Sequence, residues 1–288
     1  MDFYKLALLG HPLGHSRSPE MHARALEHCN LKGSYELIDI EENELETTLV
    51  RLKNEGYAGF NVTIPYKEKI IPLLDTVPGP PLQVGAVNTV LIEKGNATGY
   101  NTDIFGASVV ILDFFEDVSR LSNIRALILG SGGAAKACVY ALQLLNCKKI
   151  CISSRNREKG EQIVKQYSTD KMEISFDPFF CSGDWSGLLN PEQFTLLINA
   201  TPLGQASKSP LQAEYFDGLL TRLNKDVCVF DMVYASGDQK ETPLVSAAHE
   251  RGLEACDGTF MLAEQAAQAF QIWTGNKVSP EVMLGRSI

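Results

Sequence analysis

Three short segments concentrate side chains that suit the binding of a polar ligand and the movement of a proton. They cover residues 11–19, residues 61–67, and residues 85–89 together with 99–103, and they are rich in hydroxyl, amide, amine and carboxyl groups. An amide donates and accepts hydrogen bonds at once, which suits a ligand hydroxyl. A lysine that is partly shielded from water can act as general acid and base. Taken singly, these residues have plainer interpretations, because a lysine is usually exposed and asparagines are common in turns.

The first two segments follow directly on predicted strands. Leu6–Leu9 is an apolar run ending at Gly10, and Phe60, Val62 and Ile64 alternate until Pro65 stops the strand. In an open α/β sheet, ligands bind beyond the carboxyl ends of the strands. The sequence therefore predicts a ligand site at this edge.

A glycine-rich turn at 130–134, Gly-Ser-Gly-Gly-Ala, lies between the apolar strand at 126–129 and a predicted helix. Glycines let the backbone approach a pyrophosphate, and the helix N-terminus offers free N–H groups and a positive dipole end. The turn departs from G-x-G-x-x-G, because Ala135 takes the third position. Glycine also marks ordinary turns, but the strand before and the helix after favour a dinucleotide site.

The end of the next strand favours NADP. NAD-binding folds usually place an acid there on the ribose hydroxyls, whereas this chain has Ser153, Ser154 and Arg155, followed by Asn156 and Lys159. A guanidinium can grip a 2′-phosphate with two parallel hydrogen bonds and lie flat on the adenine. The alternative interpretation is a solvated basic loop, as most charge clusters are.

The elements that must position these residues alternate between strand and helix. Further strands are predicted at 35–40, 149–153, 196–198 and 227–230, with a hairpin at 87–100. Asn101, Thr102 and Asp103 are cap-type residues in front of a helix. This order implies a mostly parallel sheet with helices on both faces.

Composition excludes several classes of function. The 288 residues carry a net charge of -9, which is unlike a nucleic-acid binder, so positive charge for anionic ligands must be supplied locally. No signal peptide or apolar run long enough to span a membrane is recognisable. Seven scattered cysteines indicate free thiols in a reducing cytosol, and neither they nor the five histidines form a metal-ligand set.

Seven motifs in register make the chain resemble the shikimate dehydrogenase family over nearly its whole length. In order, they are H-S-x-S-P, N-V-T-x-P-x-K, G-A-V-N-T, G-x-N-T-D, G-x-G-G-A, N-A-T-P-L-G and D-G-x-x-M-L-x-x-Q. The resemblance implies an α/β fold of two domains with the active site in a cleft between them. An α/β substrate-binding domain would comprise residues 1–103 and 256–288, and a Rossmann-type NADP-binding domain residues 104–255.

The resemblance also implies roles for individual residues. Lys67 is similar to the family's proton-transfer lysine, with Asp103 beside it, although Asp103 is also a candidate helix N-cap. Ser16 and Ser18 are similar to the pair that binds the substrate carboxylate, although alone they suggest a loop or a cap before Pro19. The other implied substrate contacts are Asn61, Thr63, Asn88, Tyr234 and Gln265. The implied cofactor contacts are Gly130, Ser131, Gly132, Gly133, Ala134, Ser154, Arg155, Asn156, Lys159, Thr201, Met232, Gly258 and Met261.

Two departures from the family pattern bear on the cofactor. Ala235 and Ser236 replace Asn-Pro near the implied nicotinamide position, and Lys159 stands where an arginine is common. The implied activity is the reversible NADPH-dependent reduction of 3-dehydroshikimate to shikimate in the cytoplasm, by a monomer or homodimer that binds neither nucleic acid nor membrane. The alternatives are a quinate/shikimate dehydrogenase that uses NAD, and a non-catalytic NADP-sensing module, which would not need Lys67 and Asp103.

Overall fold

The computed structural model describes residues 3–13, 16–115, 121, 123–177, 188, 190–205, 213–235 and 239–286. The chain divides into two compact units. Unit 1 consists of Met1–Gly106 and Leu262–Ile288, and unit 2 of Ala107–Met261. The chain changes unit three and six residues beyond the boundaries expected at 103/104 and 255/256.

Strands and helices alternate along most of the described chain. The strands are β1 (Phe3–Gly10), β2 (Lys32–Asp39), β3 (Gly59–Val62), β4 (Thr89–Glu93), β5 (Asn96–Tyr100), β6 (Arg125–Leu129), β7 (Lys149–Ser153), β8 (Glu173–Asp177), β9 (Leu196–Asn199), β10 (Cys228–Asp231) and β11 (Ala255–Cys256). The helices are α1 (Ser18–His28), α2 (Leu45–Asn54), α3 (Pro80–Val84), α4 (Thr102–Phe114), α5 (Gly133–Leu144), α6 (Arg157–Tyr167), α7 (Ala213–Leu220), α8 (Pro243–His249), α9 (Thr259–Thr274) and α10 (Pro280–Leu284). Short 3-10 turns lie at Glu42–Glu44, Ile71–Leu73 and Pro191–Gln193.

Unit 1 is built on a mixed sheet with the strand order β2-β1-β3-β4-β5. The strands β2, β1 and β3 are parallel, so β1 and β3 end at the same edge, whereas β4 is antiparallel to β3 and β5. The predicted hairpin is present as β4 and β5, which are joined by Lys94 and Gly95, both with positive φ. The strand β3 ends at Val62, two residues before the predicted end, because the chain turns there: the Tyr66 N–H donates to the Thr63 carbonyl at 2.9 Å.

The core of unit 1 fills both faces of this sheet. On one side, Leu49 and Leu52 of α2 pack with Phe60 and Val62 of β3. A second group joins α1, α9 and α10 through residues such as Met21 and Phe270. These contacts hold the carboxyl ends of β1 and β3 in fixed positions beside the N-terminus of α1.

Unit 2 is a parallel sheet with the strand order β11-β10-β9-β6-β7-β8. The order places the glycine-rich turn after β6 between the ends of β9 and β7. Apolar residues of the strands, including Leu127, Leu197 and Val229, pack with Phe216 of α7 and Leu244 of α8. The strands read as continuous apolar runs because both faces of a parallel sheet are covered. The α/β class, the parallel sheet and the Rossmann-type unit are therefore as predicted.

Among the described helices, none combines the length and apolar character needed to cross a bilayer.

Candidate active site

Lys67 and Asp103 form a partly sheltered ion pair in unit 1. The Lys67 Nζ atom donates to Asp103 Oδ2 at 2.6 Å, and the two side chains are 21% and 11% exposed. Lys67 lies in the turn after β3, and Asp103 lies in the first turn of α4, where a helix favours negative charge. The pair is sheltered enough to be held in one geometry, yet Lys67 still reaches the surface.

Asn88 fixes the other side of the Asp103 carboxylate. Its Nδ2 donates to Asp103 Oδ1 at 2.9 Å and to Thr102 Oγ1 at 2.9 Å, while its Oδ1 accepts from the Thr102 N–H at 2.7 Å. Asn88 is itself buried. With one carboxylate oxygen bound to Asn88 and the other to Lys67, Asp103 has a defined orientation.

Gln265 brings α9 into the same network. Its Oε1 lies 3.3 Å from both Asn88 Nδ2 and Thr102 Oγ1, and its Nε2 donates to the Leu262 carbonyl at 3.0 Å. Residues that are 177 positions apart in the chain thus meet at one hydrogen bond.

Asn61 links the network to the segment that carries the two serines. Its Nδ2 donates to the Asn88 carbonyl at 3.1 Å, and its Oδ1 accepts from the Tyr35 hydroxyl at 2.8 Å. Burial raises the pKa of Tyr35, and a hydrogen bond with Ser18 acts against that rise. Ser16 Oγ accepts from the Ser18 N–H at 3.2 Å. The structure therefore connects Ser16 and Ser18 with Asn61 through Tyr35.

The segment before the serines is fastened to the end of β2 by Asp39. Asp39 accepts from the Leu13 N–H at 2.7 Å and lies 2.6 Å from His11 Nδ1. The Leu13 N–H and then His11 lower the pKa of Asp39, and the hydrogen bond with Asp39 raises the pKa of His11. Thr63 opens the turn after β3, half-buried beside Gly10. Gly14 and His15 lie outside the described residues.

The glycine turn of unit 2 has one closed side and one open side. Gly130 has φ +114° and lies so close to the next loop that a Cβ atom would stand 2.9 Å from the Ala200 carbonyl oxygen. Gly132 precedes α5, where no side chain caps the helix, and a Cβ on it would meet nothing within 4 Å. Ser131 is buried, and Gly133 and Ala134 begin the helix. The free N–H groups at this helix end can therefore receive an anion.

Alanine substitutions should separate the two sides of the turn. We expect Gly130→Ala to lower the free energy of unfolding by roughly 1–3 kcal/mol, since it adds overpacking to an unfavourable φ. Gly132 has φ -87° and an open side, so Gly132→Ala should leave stability unchanged. Urea unfolding of both variants measures the difference. Equal stabilities would contradict this description of the turn.

The basic loop after β7 presents one arginine without an ion pair. Ser154 is buried and donates to the Asn156 carbonyl at 2.9 Å, and Asn156 caps α6 by accepting from the Lys159 N–H at 2.9 Å. Arg157 is paired with Glu161 at 2.7 Å. Arg155 is exposed, and among the described residues it has no acidic partner. Its guanidinium is therefore available to an anionic ligand.

The remaining predicted cofactor residues lie where β9 and β10 end and α9 begins. Thr201 donates to Asn199 Oδ1 at 2.6 Å, and the Gly258 N–H donates to the Val233 carbonyl at 2.9 Å. Gly258 has no room for a Cβ atom, which would stand 2.4 Å from the Met232 carbonyl oxygen. Met261 is buried in the first turn of α9, and Tyr234 is half-buried after β10. Of the altered loop, Ser236 lies outside the described residues.

Known proteins are similar to this chain in both sequence and fold. Family models match residues 8–90 (shikimate dehydrogenase substrate binding domain), 115–177 (shikimate/quinate 5-dehydrogenase) and 258–285 (shikimate 5′-dehydrogenase C-terminal domain). An NADP(+) shikimate dehydrogenase of Magnetococcus marinus is 34% identical over 281 residues, which cover 96% of this chain and 93% of the relative. The chain belongs to the shikimate dehydrogenase family.

Solved structures of the family extend this similarity to the fold. The shikimate dehydrogenase of Aquifex aeolicus superimposes with a TM-score of 0.82 at 30% identity, covering 98% of this chain and 96% of the other. The shikimate 5-dehydrogenase of Thermus thermophilus, in complex with NADP(H) and shikimate, gives a TM-score of 0.76 at 32% identity with 97% of each chain covered.

Two interpretations of cap residues are wrong in this member of the family. The N-cap of α4 is Asn101, whose Oδ1 accepts from the Ile104 N–H at 3.3 Å, and Asp103 lies inside the helix. The N-cap of α1 is Arg17, and no side chain caps that helix. Asp103 and the Ser18 hydroxyl therefore do not serve as caps.

Sequence reasoning missed two members of the network. Tyr35 binds both Asn61 and Ser18, and Thr102 binds both Asn88 and Gln265. Thr102 stands next to Asp103 in the G-x-N-T-D motif, which is the signal that could have singled it out. The sequence around Tyr35 predicted only a strand. The contact of its hydroxyl with Asn61 depends on which strands are neighbours in the sheet, and no local pattern gives that order.

The described residues contain no group of three or more histidine, cysteine, aspartate or glutamate side chains that could hold a metal ion. No two of the six described cysteines form a disulfide with each other, and Cys181 lies outside the described residues.

Proposed function

We propose that this chain catalyses the reversible NADPH-dependent reduction of 3-dehydroshikimate to shikimate, a step toward chorismate and the aromatic amino acids. The observation that carries the proposal is the sheltered Lys67–Asp103 pair, 2.6 Å apart, inside a network of amides and hydroxyls. Relatives named as NADP(+) shikimate dehydrogenases support the choice of substrate and cofactor. The bound dinucleotide supplies the hydride that the ring carbon receives.

Lys67 is proposed to exchange the proton at the ring oxygen. Its ammonium group donates to the carbonyl oxygen during reduction, and its amine takes the proton back during oxidation. Asp103 orients the amine through the 2.6 Å hydrogen bond. Asn88 holds Asp103 through Oδ1, which leaves Oδ2 for Lys67. The proton donor is therefore positioned before substrate arrives.

A set of polar residues is proposed to hold the substrate. Ser16 and Ser18 bind the carboxylate, and the hydroxyls of the ring are bound by Asn61, Thr63, Asn88, Tyr234 and Gln265. Amides suit hydroxyls because they donate and accept together. The chain carries a net charge of -9, which does not favour an anionic substrate. The serine hydroxyls and Lys67 are therefore proposed to supply the local hydrogen-bond donors and positive charge that the substrate carboxylate needs.

The residues of unit 2 fit NADP. The open side of Gly132 and the uncapped start of α5 leave room for a pyrophosphate next to free N–H groups. The basic loop also carries Ser154, Asn156, Lys159 and the exposed Arg155, which has no acidic partner in the part of the chain that the structure describes, and such a set suits a 2′-phosphate. Gly130, Ser131, Gly133, Ala134, Thr201, Met232, Gly258 and Met261 are proposed to complete the cofactor site.

Oxidation of shikimate followed by the absorbance of NADPH tests the function. The assay is run with shikimate and quinate against NADP and NAD. The proposal expects the highest kcat/KM for shikimate with NADP. Faster turnover of quinate with NAD would favour the alternative dehydrogenase, and NADP binding without turnover of either acid would favour a sensor.

Alanine substitution of either serine should raise KM for the substrate and leave KM for the cofactor nearly unchanged. A hydrogen bond to an ionised carboxylate is worth about 1.5–3 kcal/mol, so Ser16→Ala or Ser18→Ala should raise KM for shikimate roughly 10–100-fold. The KM for NADP should stay within about twofold, since neither serine belongs to the proposed cofactor site. Steady-state kinetics measure both constants, with the exposed Ser34→Ala as the control. A shift in the cofactor KM alone would contradict the assignment.

The thiols also bear on location. The chain has seven cysteines, an odd number at scattered positions, which is typical of proteins of the reducing cytoplasm. We place the enzyme there.

A further inference from the structure

Asp231 is a buried carboxylate that the proposed mechanism does not use. It is the last residue of β10 and is fully buried. Its Oδ1 accepts from Asn199 Nδ2 at 2.8 Å and from the Val233 N–H at 3.1 Å, and its Oδ2 accepts from Thr242 Oγ1 at 2.7 Å. A buried carboxyl group is costly unless its oxygens are hydrogen-bonded, and here both are.

The three donors belong to three separate segments at the carboxyl edge of the sheet. Asn199 opens the loop after β9, Val233 lies in the segment after β10, and Thr242 caps α8 by accepting from the Val245 N–H at 3.3 Å. One side chain thus ties the end of β9, 32 residues earlier in the chain, to two segments that follow β10.

Asn199 carries this constraint to the glycine turn. Its Oδ1 accepts from the Thr201 hydroxyl at 2.6 Å, and its main-chain carbonyl accepts from the Met232 N–H at 3.0 Å. Thr201 in turn walls the turn, because a Cβ on Gly130 would stand 3.0 Å from Thr201 Cγ2. Two side-chain hydrogen bonds, both made by Asn199, therefore connect the Asp231 carboxyl group to Thr201.

We propose that Asp231 is a positioning residue for the dinucleotide: its carboxyl group holds Thr201 and Met232 in the arrangement that the cofactor meets. The inference rests on the proposed binding of NADP, in which both residues take part. Segments that are already ordered lose less conformational entropy on binding, so the affinity is higher.

The protonation of Asp231 suggests a conservative variant. Burial raises the pKa of Asp231 to about 7, against the hydrogen bonds from Thr242, Val233 and Asn199, and the nearby charge of Asp257 raises it further. Asp257 and Cys256 are the titratable groups with which Asp231 interacts. The Asp231→Asn variant keeps an oxygen that can accept from Asn199 and Val233, and it has the shape of the protonated acid.

The experiment compares NADPH binding, measured by fluorescence titration, in the full-length wild type, Asp231→Ala, Asp231→Asn and Asn199→Ala. We expect Asp231→Ala to raise the Kd for NADPH about tenfold or more, while KM for shikimate changes less than about twofold. The Asp231→Asn variant should bind within about threefold of wild type. Because Asp231 acts through Asn199, Asn199→Ala should match Asp231→Ala, and the double variant should bind no more weakly than the weaker single variant.

A core variant of the same strand controls for lost stability. Val229→Ala removes buried methyl groups from β10 two residues before Asp231 and leaves the three hydrogen bonds of the Asp231 carboxyl group in place. It should lower Tm and leave the Kd for NADPH unchanged. An equal rise in Kd for Val229→Ala, or an unchanged Kd for Asp231→Ala, would overturn the proposal. If Asp231→Ala does not fold, the Kd for NADPH of Asn199→Ala is used instead: a rise of about tenfold or more supports the proposal, and an unchanged Kd overturns it. A wild type that does not bind NADPH would instead overturn the proposed function.

Discussion

Replacing Lys67 by alanine lowers the turnover of shikimate by roughly 10²–10⁴-fold, the range expected when a general acid–base group is lost. The substitution removes the proton donor but leaves the serines, amides and Asp103 in place. The change in KM for shikimate should therefore be smaller than the change in kcat. Steady-state kinetics in both directions, with NADP and NADPH, measure the two constants.

Lys53 provides a matched control for Lys67. Its Nζ donates to Asp75 Oδ2 at 2.6 Å, and its side chain is 21% exposed, so the distance and the exposure of the lysine are the same as in the Lys67–Asp103 pair, although Asp75 is 42% exposed and Asp103 11%. Lys53→Ala should leave kcat within about twofold, because partly exposed ion pairs contribute little by themselves. If Lys67→Ala keeps more than about a tenth of wild-type turnover, where at least 10²-fold is expected, the proposed role is wrong.

Replacing Arg155 by alanine should change the choice of cofactor. Loss of a charge-assisted contact to the 2′-phosphate costs about 1.5–3 kcal/mol, which is roughly 10–100-fold in NADP affinity. NAD has no such phosphate, so its kcat/KM should barely change. The Ser154→Asp variant should lower the preference for NADP still more, because the new carboxylate repels the 2′-phosphate and offers the ribose an acceptor. Measurements of kcat/KM with both cofactors give the ratio.

Arg157 is the matched control within the same loop. It lies two residues away, is 76% exposed, and is already paired with Glu161 at 2.7 Å. Arg157→Ala should reduce the preference for NADP much less than Arg155→Ala does. A wild type that prefers NAD, or an Arg155→Ala variant that loses both cofactors equally, would contradict the NADP assignment.

The architecture followed from local patterns in the sequence. Apolar runs such as Leu6–Leu9 and residues 126–129 predicted buried strands, and both are strands with parallel neighbours. The glycine turn was predicted from its place between strand and helix, and α5 begins there at Gly133. Each of these signals lies within a few residues of the structure that it specifies, which is why the sequence alone was sufficient.

The ends of elements were less predictable. The segment at 60–64 alternates like a strand, yet β3 stops at Val62 because the chain turns there and the Tyr66 N–H donates to the Thr63 carbonyl. Asn101, Thr102 and Asp103 are all good cap residues, and the backbone geometry selected Asn101. Local propensity offers several candidates in such cases, and a tertiary contact chooses among them.

The sequence by itself determined the alternation of strands and helices, the glycine turn, the basic loop with no acid at the end of β7, and the set of polar residues at strand ends. Only the tertiary structure decided how these residues meet. It showed that Asn88 joins Asp103 to Gln265, and that Asp231 joins Asn199 to Thr242. The physical reason is that a helix or strand is specified by neighbours in the chain. A buried hydrogen bond between distant residues instead depends on strand order, register and packing, which no single stretch of sequence contains.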